Sequence, residues 1–134
     1  EYTKEQMQKN WEYYEPRTEH GSSLSACMYS LVACQTGKAD IAYPFFMKSA
    51  KADLTPGGKE WAGLIYIGGT HPASEGGAWI VAINGFAGIS IKDGTLVCEP
   101  NMPKHWNRMS FKLRFMDKIY KVTIDKNSGR IEEI

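Results

Sequence analysis

Apolar residues return every third or fourth position between Ser22 and Thr36, where Leu24, Cys27, Met28, Leu31, Val32 and Cys34 keep a helical period. Gly37 follows as a C-terminal glycine, so the spacing predicts a helix over 22–36. A shorter amphipathic helix is predicted over 3–12, with Thr3 as N-cap and Gln6, three residues on, completing a capping box. Glu15-Pro16 should break it, because a residue before proline avoids the α region. Asp40 is the expected cap of the next helix, which runs to about Asp53. Pro44 falls near its first turn, and Tyr43, Phe46, Met47 and Ala50 form its apolar stripe. Thr55-Pro56-Gly57-Gly58-Lys59 reads as a turn cluster, and 60–70 as an irregular glycine-rich loop. A last helix is predicted over about 74–86. Ala78, Trp79, Ile80, Val81, Ala82 and Ile83 leave it without a polar face, the pattern of a helix covered on all sides.

After Gly88 the period drops to two. Ile89-Ser90-Ile91-Lys92, the Asp93-Gly94 turn and Thr95 to Glu99 predict a hairpin. Met109 to Met116 places Phe111, Leu113 and Phe115 on one face, and Asp117-Lys118 turns the chain. Ile119 to Ile124 returns with Tyr120, Val122 and Ile124 facing one way. Asn127-Ser128-Gly129 turns again, and Arg130 to Ile134 closes a single sheet. The class is therefore α+β, with helices over 1–88 and a small antiparallel β domain over 89–134. Helices this apolar cannot cover one another, and five short strands suffice for one sheet only. The chain thus reads as the end of something larger. Faces such as Ile80, Ile83 and Phe86 should need the remainder of that body, or self-association, to leave water.

Composition changes this picture little. A hydrophobic fraction of 43% argues against disorder, and a net charge of +1 gives no sign of a nucleic-acid or membrane partner. The longest apolar run, Ala78 to Ile91, is too short to span a bilayer, and no charged-then-apolar leader is seen; a soluble, cytoplasmic protein is expected. Cys27, Cys34 and Cys98 are odd in number and contain no C-x-x-C pair. Buried free thiols are expected, with no structural metal site.

Candidate chemistry is concentrated at two helix entrances. Tyr13 to Ser25 gathers acids, Arg17, His20, Gly21 and the hydroxyls of Ser22, Ser23 and Ser25 immediately before an apolar helix. Gly68 to Trp79 is a second glycine-rich entrance with His71 at its mouth. Free N–H groups and the positive dipole end at a helix start favour an anion, so two such entrances suggest one shared anion site. Ser22 and Ser23 could donate to a dianion or serve as a plain N-cap. His71 could donate to an oxyanion or satisfy loop carbonyls. Gly76 and Gly77 could bring backbone N–H groups close to the anion or allow tight helix packing. Arg17 could clamp an anion or pair with Glu15 or Glu19, and His20 could brace the loop. Trp61 and Trp79 could stack on a sugar, with core packing the plainer reading for Trp79.

Taken in order, Tyr14-Glu15-Pro16-Arg17-Thr18-x-His20-Gly21-Ser22-Ser23-Leu24-Ser25, Gly69-Thr70-His71-x-Ala73-Ser74-x-Gly76-Gly77-Ala78-Trp79, Asn84-Gly85-Phe86-Ala87-Gly88, Pro103-Lys104-His105-Trp106 and Phe111-Lys112-Leu113-Arg114-Phe115 form a pattern. It resembles the C-terminal part of the family 65 glycoside phosphorylases, which include maltose, trehalose, kojibiose and nigerose phosphorylases, and it covers nearly the whole chain. The resemblance implies the terminal helices of an (α/α)6 catalytic barrel followed by a small antiparallel β-sheet domain. It implies inverting phosphorolysis of an α-linked glucose disaccharide to β-glucose 1-phosphate, with inorganic phosphate as co-substrate and no cofactor. Ser22, Ser23 and His71 match the family's phosphate-side residues, with Gly76 and Gly77 beside them. Glu15, Arg17 and His20 fall to substrate binding or loop bracing, and His105 and Trp106 to packing against the barrel. The family's general-acid glutamate lies upstream of the Tyr-Glu-Pro motif, and no segment here matches it. The chain is thus expected to supply the phosphate-binding wall and no catalytic residue. The alternatives are a non-catalytic fragment or truncated paralogue acting as a partner-dependent binding module, and a trehalase-type hydrolase of the same family.

Overall fold

The computed structural model describes residues 2–55, 60–61, 65–66, 69–126 and 128–134. The expected turn at 56–59, the Trp61 side chain, Gly68 and Asn127 lie outside the described residues.

Helix α1 (Lys4–Tyr14) begins with the expected capping box: the Thr3 N–H donates to Gln6 Oε1 at 2.9 Å, and the Gln6 N–H donates to Thr3 Oγ1 at 3.2 Å. Glu15 does not break the helix as expected. It stays helical (φ −55°, ψ −53°), and a single 3-10 turn, Glu15–Arg17, absorbs Pro16 where a missing N–H costs nothing. The chain turns extended only at Thr18.

Helix α2 (Ser23–Gln35) has Ser22 as its N-cap and ends at Gly37, whose φ of +80° suits glycine. Gly37 N–H donates to Cys34 O at 2.9 Å and Lys38 N–H to Ala33 O at 2.8 Å, the paired bonds of a Schellman terminator. That tight reversal delivers the chain directly into α3 (Ala39–Ala50), so Lys38, not Asp40, occupies the N-cap position. Asp40 instead sits in the first turn, and its Oδ1 accepts the Lys104 N–H at 2.9 Å. Pro44 lies inside the helix as its sixth residue, two places further in than an Asp40 cap would put it, and α3 stops short of Asp53. Within the expected irregular loop, Glu60–Trp61 (β1) and Ile65–Tyr66 (β2) pair as a short antiparallel ladder.

Helix α4 (Pro72–Ile80) starts two residues before the predicted position, because Pro72 is suited to the first helical place. It runs on as a π-helical turn, Val81–Phe86. Three contacts set α4 and its π-helical turn against α2. Ser74 Oγ donates to Ser23 O at 3.1 Å, Gly77 faces Cys27, and Gly85 faces Cys34. The contacts advance in the same direction along both segments, so α2 and α4 run parallel. Cys27, Cys34, Ala33, Ala39, Ala42, Val81 and Phe86, from α2, α3 and the π-helical turn, form one core, with Tyr43, Phe46 and Trp106 packed on it. The expectation of exposed Ile83 and Phe86 fails: Phe86 is fully buried, and Ile83 packs on the core beneath the strands. Within this chain Trp79 is 60% and Ile80 42% exposed, Ile80 as expected of a face left to the remainder of the larger body.

The β region forms two sheets, not one. β3 (Ile89–Lys92) pairs with β4 (Thr95–Cys98), while β5 (Arg108–Phe115), β6 (Lys118–Asp125) and β7 (Ser128–Glu133) form a separate antiparallel meander. Pro100 and Pro103, which lack N–H donors, lie in the segment dividing them. Ile89, Val122 and Ile124 share one core, with Phe111 and Leu113 packed on it. Asp93 (φ +50°) and Gly94 (φ +72°) make the expected hairpin turn. The next turn is Met116-Asp117, both at positive φ, one residue earlier than expected. The segment between the sheets straps them to the helices. Asn101 Nδ2 donates to Cys34 O at 2.6 Å, His105 stacks on Tyr43 at 4.3 Å, and Trp106 meets Phe86 edge-on at 5.0 Å.

Candidate anion site at two helix N-termini

Because α2 and α4 are parallel, their N-termini adjoin and their positive dipole ends face the same space. Ser22 is exposed, and its Oγ accepts the Leu24 N–H at 3.3 Å, the ordinary N-cap bond. That bond uses a lone pair of the hydroxyl and leaves its proton to donate elsewhere. Ser23 is half-buried at the first helical position, where its N–H has no partner within the helix. At the second entrance, His71 is the N-cap of α4, and its carbonyl accepts the N–H groups of Ser74 (2.9 Å) and Glu75 (3.1 Å).

The His71 ring is held by a residue that the sequence does not single out. Asp53, in the turn after α3, accepts the His71 backbone N–H through Oδ2 at 2.6 Å, and its Oδ1 lies 2.9 Å from Nδ1. Hydrogen bonds from His71, the side chain first and the backbone second, hold the Asp53 carboxyl below its ordinary value. An ionised carboxylate only accepts, so Nδ1 carries a proton and Nε2 is the edge left facing away. In the sequence Asp53 looks like the last polar residue of a helix. Nothing local pairs it with a residue in a later loop.

The two glycines differ. Gly76 and Gly77 are the fifth and sixth residues of α4, beyond the first-turn N–H groups that a helix leaves unpaired. Their backbones therefore belong to the helix ladder and do not present N–H groups to an anion. A Cβ on Gly77 would stand 2.8 Å from Cys27 Cβ and still nearer its Sγ, whereas one on Gly76 would meet nothing within 4 Å. Gly77 permits helix packing, and Gly76 leaves the surface at the entrance clear.

The preceding loop is tied internally. Arg17 Nη1 donates to Tyr13 O at 2.7 Å, and its guanidinium lies over the Tyr13 ring. His20, at φ +55°, places Nδ1 2.8 Å from Ser25 Oγ, packs edge-on against Tyr29 at 4.5 Å, and has Nε2 3.8 Å from Glu15 Oε1. Lys48 Nζ donates to the His20 carbonyl at 2.8 Å, fastening the loop to α3. These contacts brace the entrance of α2. Among the described residues no group of three or more metal-ligating side chains converges, and no helix is long and apolar enough to cross a membrane.

This pairing of helix entrances lies on a recognisable class of chain. Residues 1–80 match the glycosyl hydrolase family 65 central catalytic domain, and residues 89–133 match the family 65 C-terminal domain. The chain belongs to glycosyl hydrolase family 65. It is 54% identical over 134 residues to a nigerose phosphorylase of Lachnoclostridium phytofermentans, covering 100% of this chain and 18% of that protein. It is 37% identical over 127 residues to an α,α-trehalose phosphorylase of Thermoanaerobacter brockii, covering 95% of this chain and 16% of that protein. A solved structure, provisionally assigned as a kojibiose phosphorylase from the human microbiome, superposes with a TM-score of 0.82 at 32% identity, covering 99% of this chain and 19% of that one. The helices and small antiparallel sheets thus match the C-terminal part of such a phosphorylase, and the chain spans less than a fifth of the length of these relatives.

Proposed function

We propose that this chain forms the phosphate-binding wall of an inverting disaccharide phosphorylase. In this reading residues 1–88 are the last helices of its (α/α)6 barrel, and 89–134 are its C-terminal β domain. The substrates are inorganic phosphate and an α-linked glucose disaccharide, in a soluble cytoplasmic enzyme without a cofactor. One observation carries the reading: α2 and α4 run parallel with adjoining N-termini, so Ser22, Ser23 and His71 lie where both helix dipoles favour an anion.

Phosphorolysis needs a bound, oriented phosphate more than it needs a base. A phosphate oxygen attacks the anomeric carbon, the glycosidic C–O bond breaks on the opposite face, and the departing oxygen takes a proton from a general acid outside these residues. The residues present hold the nucleophile. The Ser22 and Ser23 hydroxyls donate as neutral groups, and His71, with its Nδ1–H on Asp53, donates through Nε2 as the imidazolium. Gly76 adds no side chain that would crowd the approach. Glu15, Arg17 and His20 act by fixing the loop ahead of Ser22.

In the whole enzyme carrying this chain, turnover should require phosphate. His71→Ala should raise the KM for phosphate roughly 10–100-fold, the cost of one charge-assisted hydrogen bond, and leave the disaccharide KM within about twofold. A change confined to the disaccharide constant would overturn the assignment. Release of free glucose without phosphate would point to the trehalase-type hydrolase instead.

A further inference from the structure

Asp53 belongs to none of the motifs that carry the family resemblance, yet it grips His71 at two atoms. Its Oδ2 accepts the His71 backbone N–H at 2.6 Å, and its Oδ1 accepts from Nδ1 at 2.9 Å. Both side chains are largely covered, 12% exposed for Asp53 and 14% for His71. We propose that Asp53 is a positioning residue for phosphate binding, acting through His71 by fixing the ring orientation and the proton on Nδ1. The inference rests on the reading of His71 as a phosphate ligand.

The geometry favours this role over simple helix fastening. The start of α4 is already joined to α3 and α2 by Ser74 Oγ, whose one proton is shared between Ser49 O at 3.3 Å and Ser23 O at 3.1 Å. The start of α4 is therefore set against the end of α3 without Asp53. What the serine contact does not supply, and Asp53 does, is a hold on the ring. A flip about the Cβ–Cγ bond would replace N–H by C–H against the carboxylate, so one ring orientation is selected before any anion arrives. The backbone bond fixes the base of the same side chain. A ligand that finds its donor already oriented does not lose binding energy to ordering it.

The test is a double-mutant cycle in the whole enzyme, following the KM for phosphate, the KM for disaccharide and kcat in Asp53→Ala, His71→Ala and the double variant. Asp53→Ala should raise the phosphate KM roughly tenfold, the lower end of what a metal-ligating histidine loses with its orienting partner. It should leave the disaccharide KM within about twofold, and in the His71→Ala background it should add less than about twofold. Asp53→Asn, which can still accept the backbone N–H, should fall between wild type and Asp53→Ala and serves in the cycle if the alanine variant does not fold. Equal effects in both backgrounds, or no effect of Asp53→Ala where His71→Ala has one, would overturn the inference and leave the function intact. Failure of both Asp53 variants to fold would make the contact a structural tie and also overturn it. If His71→Ala leaves the phosphate KM unchanged, both the inference and the reading beneath it fall.

Discussion

Cys27 and Gly77 meet where α2 and α4 cross: a Cβ on Gly77 would lie 2.8 Å from Cys27 Cβ and nearer still to its Sγ. Further along, a Cβ on Gly85 would lie 3.1 Å from Cys34 Sγ. Each thiol on one face of α2 is answered by a missing side chain on the neighbouring segment. The close approach brings Ser23 and Ser74 within hydrogen-bond reach at the N-terminal end, which sets both helix entrances side by side.

Adjacent glycines should therefore respond in opposite ways. Gly77→Ala must displace Cys27 and should destabilise by about 1–3 kcal/mol, the usual cost of overpacking. Gly76→Ala meets open space at a helical position and should be neutral or stabilising by up to about 1 kcal/mol. Thermal denaturation of the two variants checks the pair. Equal shifts would mean that the helices do not approach as closely as described.

Gly88 joins the π-helical turn to β3 at φ +62°, and a Cβ there would collide with the Glu99 carbonyl. The same two residues are bonded, Glu99 N–H donating to Gly88 O at 3.0 Å. Gly88→Ala combines a left-handed backbone cost of about 1–2 kcal/mol with a clash against main chain, which cannot rotate away. The expected outcome is a drop in melting temperature larger than that of Gly77→Ala.

Burial pushes the Cys34 thiol from an ordinary value of 9.0 up to about 12, and raises that of Cys98 as well. The folded protein favours the neutral thiol. That contribution to stability is complete below pH 9.0 and is lost as pH rises towards about 12. Stability should thus decline on the alkaline side, and Cys34→Ser should reduce the slope. Thiol titration at pH 8 should leave Cys34 unreacted until denaturant is added, since the thiolate is the reactive form. Fast native labelling of Cys34 would contradict its burial.

The strap between the two sheets makes a separate prediction. Trp106 packs edge-on against Phe86 at 5.0 Å and Phe46 at 5.5 Å, so Trp106→Ala should cost about 3 kcal/mol, at the lower end for aromatic truncation because the ring is only half-buried. His105→Ala should cost less, because that residue is exposed and stacks on Tyr43 from outside. Urea unfolding of the two variants distinguishes them.

Local signals proved legible where partners lie within a few residues. The Thr3–Gln6 box, the Gly37 terminator and the alternation of Phe111, Leu113 and Phe115 are encoded at spacings of two to five, and the helix and strand geometry enforces them. Asp40 misled because capping depends on where the preceding reversal ends, and the Gly37 terminator ends at Lys38. The single expected sheet divided because strand periodicity says which face is apolar but not which edges pair. Trp79 is exposed in this chain, and periodicity does not reveal what lies opposite a helix.

By itself the sequence determined the class of the fold, the family and the two polar helix entrances, because composition, period and motif order are properties of the chain read in line. Only the tertiary structure decided that α2 and α4 run parallel so the entrances coincide, that Gly77 packs while Gly76 stays open, and that Asp53 reaches His71. Those outcomes depend on distances between residues far apart along the chain. Such distances are set by how closely whole helices approach, which no local pattern encodes.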